Sequence, residues 1–299
     1  MNKKPTVKPV TLVRVNKNFN VEIKRVLWKI NYWLINASHI VEMLITFELF
    51  KKVTNWQMLL MDYIGLLRHG QGIIKLRNGA KFTIRWGTTD KWSIHEIVLR
   101  DDYRIKDIAS ECRVVFDIGA SIGDFSIYTA FLNKRAKIFA YEPDPENFKQ
   151  LSRNMKLNDL SSRMMVFQEA CAEKSGYKKL YQSLHQGGHS LVKKTKGKFI
   201  NVHSQSLKEI FVKNKIKTCD LLKLDVEGAE YEILYSLGPA ILGKIKCITM
   251  EYHNINKEND QDGKSLKKYL KGHGFSVTQK ESLKRRVGSI FAINTRQKQ

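Results

Sequence analysis

Two groups of residues in this 299-residue chain carry the types and spacing that chemistry needs. The first runs Asp117-Ile-Gly119-Ala-Ser121-Ile-Gly123 after the apolar run Val114 to Phe116, and is followed by Glu142 at the end of a second apolar run, Lys137 to Tyr141. A strand, a glycine-bearing turn, a helix and a second strand ending in an acid is the order of a nucleoside-binding α/β unit. Glycines at 119 and 123 permit a sharp turn and are expected to leave the backbone open to a ligand. Glu142, about 20 residues on, is placed to accept the two hydroxyls of a ribose. Gly-x-x-x-Gly is not the Gly-x-Gly-x-x-Gly that cradles a pyrophosphate, and Asp117 brings a carboxylate that repels phosphate and suits an ammonium or sulfonium cation. S-adenosylmethionine therefore fits this turn better than NAD does.

The second group is Asp225, Glu227 and His253. Asp225 and Glu227 lie two residues apart at the end of the run Cys219 to Leu224, and His253 ends the run Lys246 to Tyr252. In an open α/β sheet the loops after the strands converge on one cleft, so these side chains are expected beside the cofactor. One base and correct positioning suffice to move a methyl group from a sulfonium to an alcohol. Glu227 and Glu230 equally suit the first turn of the following helix, where carboxylates are favourable, and Lys223 can neutralise a nearby carboxylate. Glu169 and Ala170, after a third apolar run, are expected to border the cofactor, as is Asp225. A carboxylate and imidazole set can hold a metal, but no His-x-x-x-His or Cys-x-x-Cys spacing accompanies it, and no tight metal site is expected.

These motifs, with Tyr141-Glu142-Pro-Asp144, Leu222-Lys223-Leu-Asp225-Val-Glu227-Gly-Ala-Glu230 and Met250-Glu251-Tyr-His253, occur in an order that resembles the FkbM-type S-adenosylmethionine-dependent methyltransferases. The resemblance is good over residues 112–280 and weaker over 73–103. Ser121 stands where that family usually has Asn, and Lys208 where it often has an acid. The resemblance implies a Rossmann-like class I methyltransferase, O-methylation of a hydroxyl on a small molecule or glycan, and an antiparallel last strand. Methylation of an RNA ribose 2′-hydroxyl and a non-catalytic nucleoside-binding or membrane-associated protein are the competing readings.

The elements that must position these residues follow from the pattern. Strands are expected at 113–118, 137–142, 164–168, 220–225, 246–252, 275–280 and 288–294, with helices at 124–132, 145–157, 206–213, 229–237 and 263–272. Alternation of this kind means a mostly parallel seven-stranded sheet covered on both faces. Ile73 to Arg85 alternates apolar and polar residues around Asn78-Gly79, which predicts a β-hairpin, and Ser93 to Arg100 reads as a helix. The organisation is a helical extension over 1–70, a hairpin and helix over 71–110, and the methyltransferase domain over 111–299. Residues 177–203 fit no βα unit and are expected to form short strands and a loop in which Gln186-Gly-Gly-His189-Ser190 suits either a substrate gate or an ordinary turn.

Charge is unevenly placed on a chain of net +23. Residues 218–263 carry nine acids against four bases, whereas 174–217 and 264–299 each carry one acid against ten or more bases. The acidic stretch suits a cationic cofactor, and the basic lobes suit an anionic glycan, a membrane surface reached through the N-terminal extension, or nucleic acid. Four isolated cysteines, Cys112, Cys171, Cys219 and Cys247, read as core residues of a reducing compartment. With no apolar run of 18 residues or signal-peptide pattern, a cytoplasmic protein is expected, peripheral at most.

Overall fold

The computed structural model describes residues 51–63, 65–183, 189–192, 198–281 and 287–297. Most of the expected N-terminal extension lies outside these residues; its last part forms α1 (Trp56–Tyr63). Next come β1 (Gln71–Lys75) and β2 (Lys81–Arg85), paired antiparallel with Ile73 opposite Thr83. Gly79, at φ +96°, makes the turn that Asn78-Gly79 predicted. Helix α2 (Asp90–His95) then opens into a π-helical turn over Glu96–Arg100 and precedes α3 (Ile105–Ile108). The helix thus begins three residues before the expected start, because the Asp90 carboxylate anchors its first turn on the Arg85 backbone N–H at 2.9 Å and the Arg85 guanidinium at 2.7 Å.

The core of the chain alternates as the sequence predicts. It runs β3 (Val114–Ile118), α4 (Asp124–Leu132), β4 (Lys137–Tyr141), α5 (Pro145–Leu157) and β5 (Met164–Phe167), then a lobe of β6 (Ala170–Ala172), β7 (Gly176–Tyr181) and β8 (Phe199–Ser206). It resumes with α6 (Leu207–Lys213), β9 (Cys219–Leu224), α7 (Glu230–Tyr235), α8 (Pro239–Leu242), β10 (Ile245–His253), α9 (Gly263–Gly272), β11 (Phe275–Glu281) and β12 (Val287–Asn294). Capping residues fix the helix starts: Asp144 accepts the N–H groups of Glu146 and Asn147 ahead of α5, and Asp262 accepts those of Lys264 and Ser265 ahead of α9.

The main sheet has seven strands in the order β11-β12-β10-β9-β3-β4-β5, with β12 antiparallel to both neighbours and the rest parallel. This is the expected class I methyltransferase architecture, antiparallel strand included. The chain goes from β3 outward to β4 and β5, then returns to lay β9 on the other side of β3. The crevice at that reversal is where ligands bind in open α/β sheets. Side chains alternate across the sheet: Val115 and Leu221 pack on one face, Phe116, Ile118, Leu222 and Leu224 on the other, and all are buried. The four cysteines are buried and unpaired, as core residues should be. Among the described residues no helix is long and apolar enough to cross a membrane.

The hairpin is stitched to α5 by amides. Asn154, fully buried, accepts the Thr83 N–H at 2.7 Å and donates to the carbonyls of Thr83 and Ile122 at 3.2 and 3.0 Å. Asn158 brackets Lys81 in the same way, accepting its N–H at 2.8 Å and donating to its carbonyl at 2.6 Å. Asn154→Ala strands buried backbone groups on two elements, so urea unfolding should register a loss of about 2–4 kcal/mol. A loss below about 0.5 kcal/mol contradicts this role for the amide.

Candidate active site

The turn after β3 is built by backbone geometry. The N–H groups of Gly119 and Ala120 both donate to the Tyr141 carbonyl at 3.0 Å, which ties the end of β3 to the end of β4. Ser121, at φ +48°, directs its N–H at Glu142 Oε2, 2.8 Å away, while Asp144 N–H donates to Glu142 Oε1 at 2.9 Å. A left-handed non-glycine residue costs energy and concentrates at functional sites. Glu142 is almost wholly buried, and burial outweighs its two backbone hydrogen bonds, pushing its pKa up to about 8. Each oxygen keeps a lone pair for a further donor.

The two glycines serve a purpose the sequence does not disclose. A Cβ at Gly119 would stand 1.8 Å from the Asp225 carbonyl oxygen, and one at Gly123 would stand 2.6 Å from Leu151 Cδ1. The space they leave is filled by protein. Gly119 lets the end of β9 close on the turn, and Gly123 lets α4 pack against α5.

Asp117 likewise meets a partner from its own chain. It lies opposite Lys223 in the β3–β9 register, and both side chains fall on the same face of the sheet. The Lys223 ammonium is 3.1 Å from Asp117 Oδ1 and 3.9 Å from Asp225 Oδ2, and it donates to the Gly119 carbonyl at 2.6 Å. Ser126 Oγ donates to the other Asp117 oxygen at 2.7 Å. Burial disfavours the Lys223 cation, but Asp117, Asp225 and Asp124 overcome that and raise its pKa above the usual lysine range. The Asp117 carboxylate, expected to face a ligand's cation, is fully buried and paired with the Lys223 ammonium, through which it bears on the turn at Gly119. Tyr103, from the segment ahead of the core, donates its hydroxyl to Asp225 Oδ2 at 2.8 Å, and Lys223 sits over its ring at 5.5 Å.

Beyond Asp225 the chain places Glu227 at φ +53°, and its carboxylate reaches the end of β10. His253 Nε2 is 3.1 Å from Glu227 and 3.6 Å from Glu251; Nδ1 is 3.2 Å from Glu230, which is fully buried. Burial works against the imidazolium, yet the hydrogen bonds of Glu227 and Glu230 prevail and push the His253 pKa up to about 10. Burial and then Asp225 push Glu251 up to about 8. Asp225, Glu227 and Glu251 are partly exposed, while His253 is nearly closed off. The Glu227, Glu251 and His253 donor atoms lie within 4.8 Å of one another, an arrangement that can receive a cation.

Of the three residues expected to act together, the structure pairs Glu227 with His253, beside Glu230 and Glu251, whereas Asp225 is engaged by Tyr103 and Lys223 and bears on Glu251 through its charge. The helix-terminus reading of Glu230 holds as well, since the residue opens α7 and accepts the Gly228 N–H at 3.1 Å. Glu169 turns toward His203, at 3.4 Å, and Lys213, at 3.8 Å, and Ala170 is buried in β6, so both belong to the edge where the lobe joins the core. Residues 184–188 of the candidate gating loop lie outside the described residues, but its end is anchored on both halves of the site. His189 Nε2 is 3.7 Å from Asp144, and Ser190 Oγ donates to the Glu227 carbonyl at 2.6 Å. Tyr103 gave no signal in the sequence, because it precedes the βα pattern and reaches Asp225 only in three dimensions.

Comparison with known proteins decides the family. The methyltransferase FkbM domain matches residues 117–277, more than half of the chain and all of the site's strand ends. The chain belongs to the FkbM methyltransferase family. This FkbM methyltransferase is 28% identical over 214 residues to methyltransferase sdnD of Sordaria araneosa, covering 61% of this chain and 81% of that protein. It is 24% identical over 178 residues to the hexuronic acid methyltransferase AglP of Haloferax volcanii, covering 58% of this chain and 70% of the relative. Over 193 residues it is 24% identical to the 31-O-demethyl-FK506 methyltransferase FkbM of Streptomyces tacrolimicus, covering 55% and 73%. A solved methyltransferase FkbM from Methylobacillus flagellatus aligns with a TM-score of 0.44 at 13% identity over 68% of this chain and 53% of that one.

The cofactor of this FkbM methyltransferase is S-adenosylmethionine. The residues present fit it, since a buried carboxylate with spare lone pairs at the end of β4 matches a pair of ribose hydroxyls, and an acid-rich rim matches a cationic sulfur. Lys223→Met leaves Asp117 buried without its counter-charge and should destabilise the fold by about 3–5 kcal/mol in urea unfolding. The double variant with Asp117→Asn should recover part of that loss. Equal losses in the single and double variants contradict the pairing.

Proposed function

We propose that this FkbM methyltransferase transfers the methyl group of S-adenosylmethionine to a hydroxyl of a glycan or small molecule at the ends of β9 and β10. The observation that supports the reading is the pairing of Glu227 with His253 at the end of β10, Glu227 lying two residues along the chain from Asp225, whose carbonyl closes on Gly119 in the turn that Glu142 organises. The names of two relatives, a hexuronic acid methyltransferase and a 31-O-demethyl-FK506 methyltransferase, support a sugar or a small-molecule oxygen as acceptor.

When bound, the cofactor supplies a methyl group on a cationic sulfur. Glu142 accepts the ribose hydroxyls; the backbone of Gly119 and Ser121 lines the aminoacyl end, shaped by Asp117 and Gly123; Glu169 and Ala170 border the adenine side. Asp225 is already engaged by the Tyr103 hydroxyl and the Lys223 ammonium, so it orients the acceptor, and Glu227 takes the acceptor's proton. His253, between Glu227 and Glu230, holds the Glu227 carboxylate in place. Proton transfer needs hydrogen-bond reach or one bridging water, and the partly exposed Glu227 can offer it.

Two measurements test this reading. Calorimetric titration with S-adenosylhomocysteine should show Glu142→Ala weaker by about 1.5–3 kcal/mol, roughly ten- to hundredfold. Because hydroxyl donors favour the ionised carboxylate and Glu142 ionises near pH 8, wild-type affinity should rise several-fold from about pH 6.5 to 8.5, and Glu142→Gln should flatten the rise. Unchanged affinity in Glu142→Ala removes the cofactor assignment. With an acceptor in hand, Glu227→Gln should lower turnover by about 10² to 10⁴ with cofactor affinity retained, and a loss under threefold contradicts Glu227 as the base.

A further inference from the structure

The lobe inserted between β5 and α6 carries a surface that the methyl-transfer site does not use. Strands β7 and β8 pair antiparallel with Tyr177 opposite His203, Lys179 opposite Asn201 and Tyr181 opposite Phe199. Side chains alternate, so these six residues share one face. The other face holds Leu180 and Val202, both buried. A solvent-side sheet face is ordinarily polar, yet here Tyr177 is 80% exposed and Phe199 45% exposed. The rings form two pairs: Tyr177 meets His203 edge-on at 5.7 Å, and Tyr181 meets Phe199 at 6.0 Å, with the Lys179 ammonium 4.3 Å from the centre of the Phe199 ring. Four residues of strand separate Tyr177 from Tyr181, about 13 Å, the span of two to three sugar rings.

This face leads into the active site. Tyr181 and Ser190 exchange backbone hydrogen bonds of 2.8 and 3.1 Å, and Ser190 Oγ donates to the Glu227 carbonyl at 2.6 Å. A chain lying along β7 from Tyr177 toward Tyr181 is thus one residue from the loop that carries Glu227. The charge of residues 174–217, eleven bases against one acid, favours an anionic occupant. The cleft favours one of a particular sort. Asp225, Glu227 and Glu251 at its rim repel a phosphodiester backbone, and Glu169 and Glu232 interrupt the lysines by taking His203, Lys213 and Lys178. A nucleic acid needs an unbroken track of cations for its phosphates. A glycan offers hydroxyls to the carboxylates in the cleft, apolar ring faces to the aromatic side chains, and occasional carboxylates to Lys179.

We propose that the exposed β7–β8 face is a binding platform for an anionic glycan, stacking sugar rings on Tyr177, Tyr181 and Phe199 and presenting the next sugar's hydroxyl to Glu227. The inference rests on the proposed methyl transfer to a hydroxyl, and names the class of acceptor.

Binding of tetragalacturonic acid, maltotetraose and an eight-residue oligouridylate to the full chain, saturated with S-adenosylhomocysteine, tests it by calorimetry and saturation-transfer NMR. Tetragalacturonic acid should bind the wild type, with maltotetraose weaker. Tyr177→Ala combined with Phe199→Ala should weaken tetragalacturonic acid about tenfold or more, while Tyr177→Phe, which keeps the ring, stays within twofold. Both substitutions are on exposed side chains, so S-adenosylhomocysteine affinity should stay within twofold in every variant. Failure of both glycans to bind the wild type, or equal binding by the double alanine variant, overturns the platform. Oligouridylate binding that the alanine variant abolishes, with no glycan binding, assigns the face to nucleic acid instead. Loss of S-adenosylhomocysteine binding by the wild type would fall on the proposed function, not on the platform.

Discussion

One buried ammonium organises the site. Lys223 stands between Asp117 on β3 and Asp225 at the end of β9 and caps the Gly119 carbonyl between them. A lone buried charge is costly, and two carboxylates at adjacent strand ends repel, so neither the lysine nor the acids would be tolerated alone. Together they draw the ends of β3 and β9 to the separation at which only glycine fits position 119. The shape of the turn after β3 and the position of Asp225 beside Tyr103 are consistent with that closure.

Besides Glu142, the carboxylates around the ends of β3, β9 and β10 fall into two kinds. Asp117 and Glu230 are fully buried and spend their charge on the protein, one against Lys223 and Ser126, the other against His253. Asp225, Glu227 and Glu251 keep part of their surface at the cleft. The buried pair fixes cations that in turn fix the exposed set, so groups available to substrates are oriented from behind. Held between Glu227 and Glu230, His253 is better suited to keeping a carboxylate in position than to accepting a proton near neutral pH.

The sheet was legible because its central strands are apolar runs buried on both faces, while the edge runs at 164–167 and 275–281, only partly buried, still needed little adjustment. The hairpin was legible from Asn78-Gly79, where a positive φ favours glycine. The π-helical turn after His95 and the short β6 were not, because periodicity cannot separate a π turn from an α-helix and three residues carry no pattern. In the site, the strand-end acids could be read because an α/β sheet brings its strand ends together whatever the loops contain. The partners of those acids could not be read: Tyr103 lies 122 residues from Asp225 in sequence, and Glu230 looked like an ordinary helix-start acid. The roles of Gly119 and Gly123 were hidden for a similar reason, since the neighbours that forbid a side chain, Asp225 and Leu151, come from other elements.

The most direct measurement of this account is a crystal structure of the full chain with S-adenosylhomocysteine. The account predicts the ribose hydroxyls on Glu142, the homocysteine end along the Gly119 to Ser121 backbone with Asp117 still paired to Lys223, and the thioether sulfur facing Asp225 and Glu227. A nucleoside bound away from Glu142, or a sulfur more than about 10 Å from the Glu227 carboxylate, beyond what one bridging water can span, would contradict it.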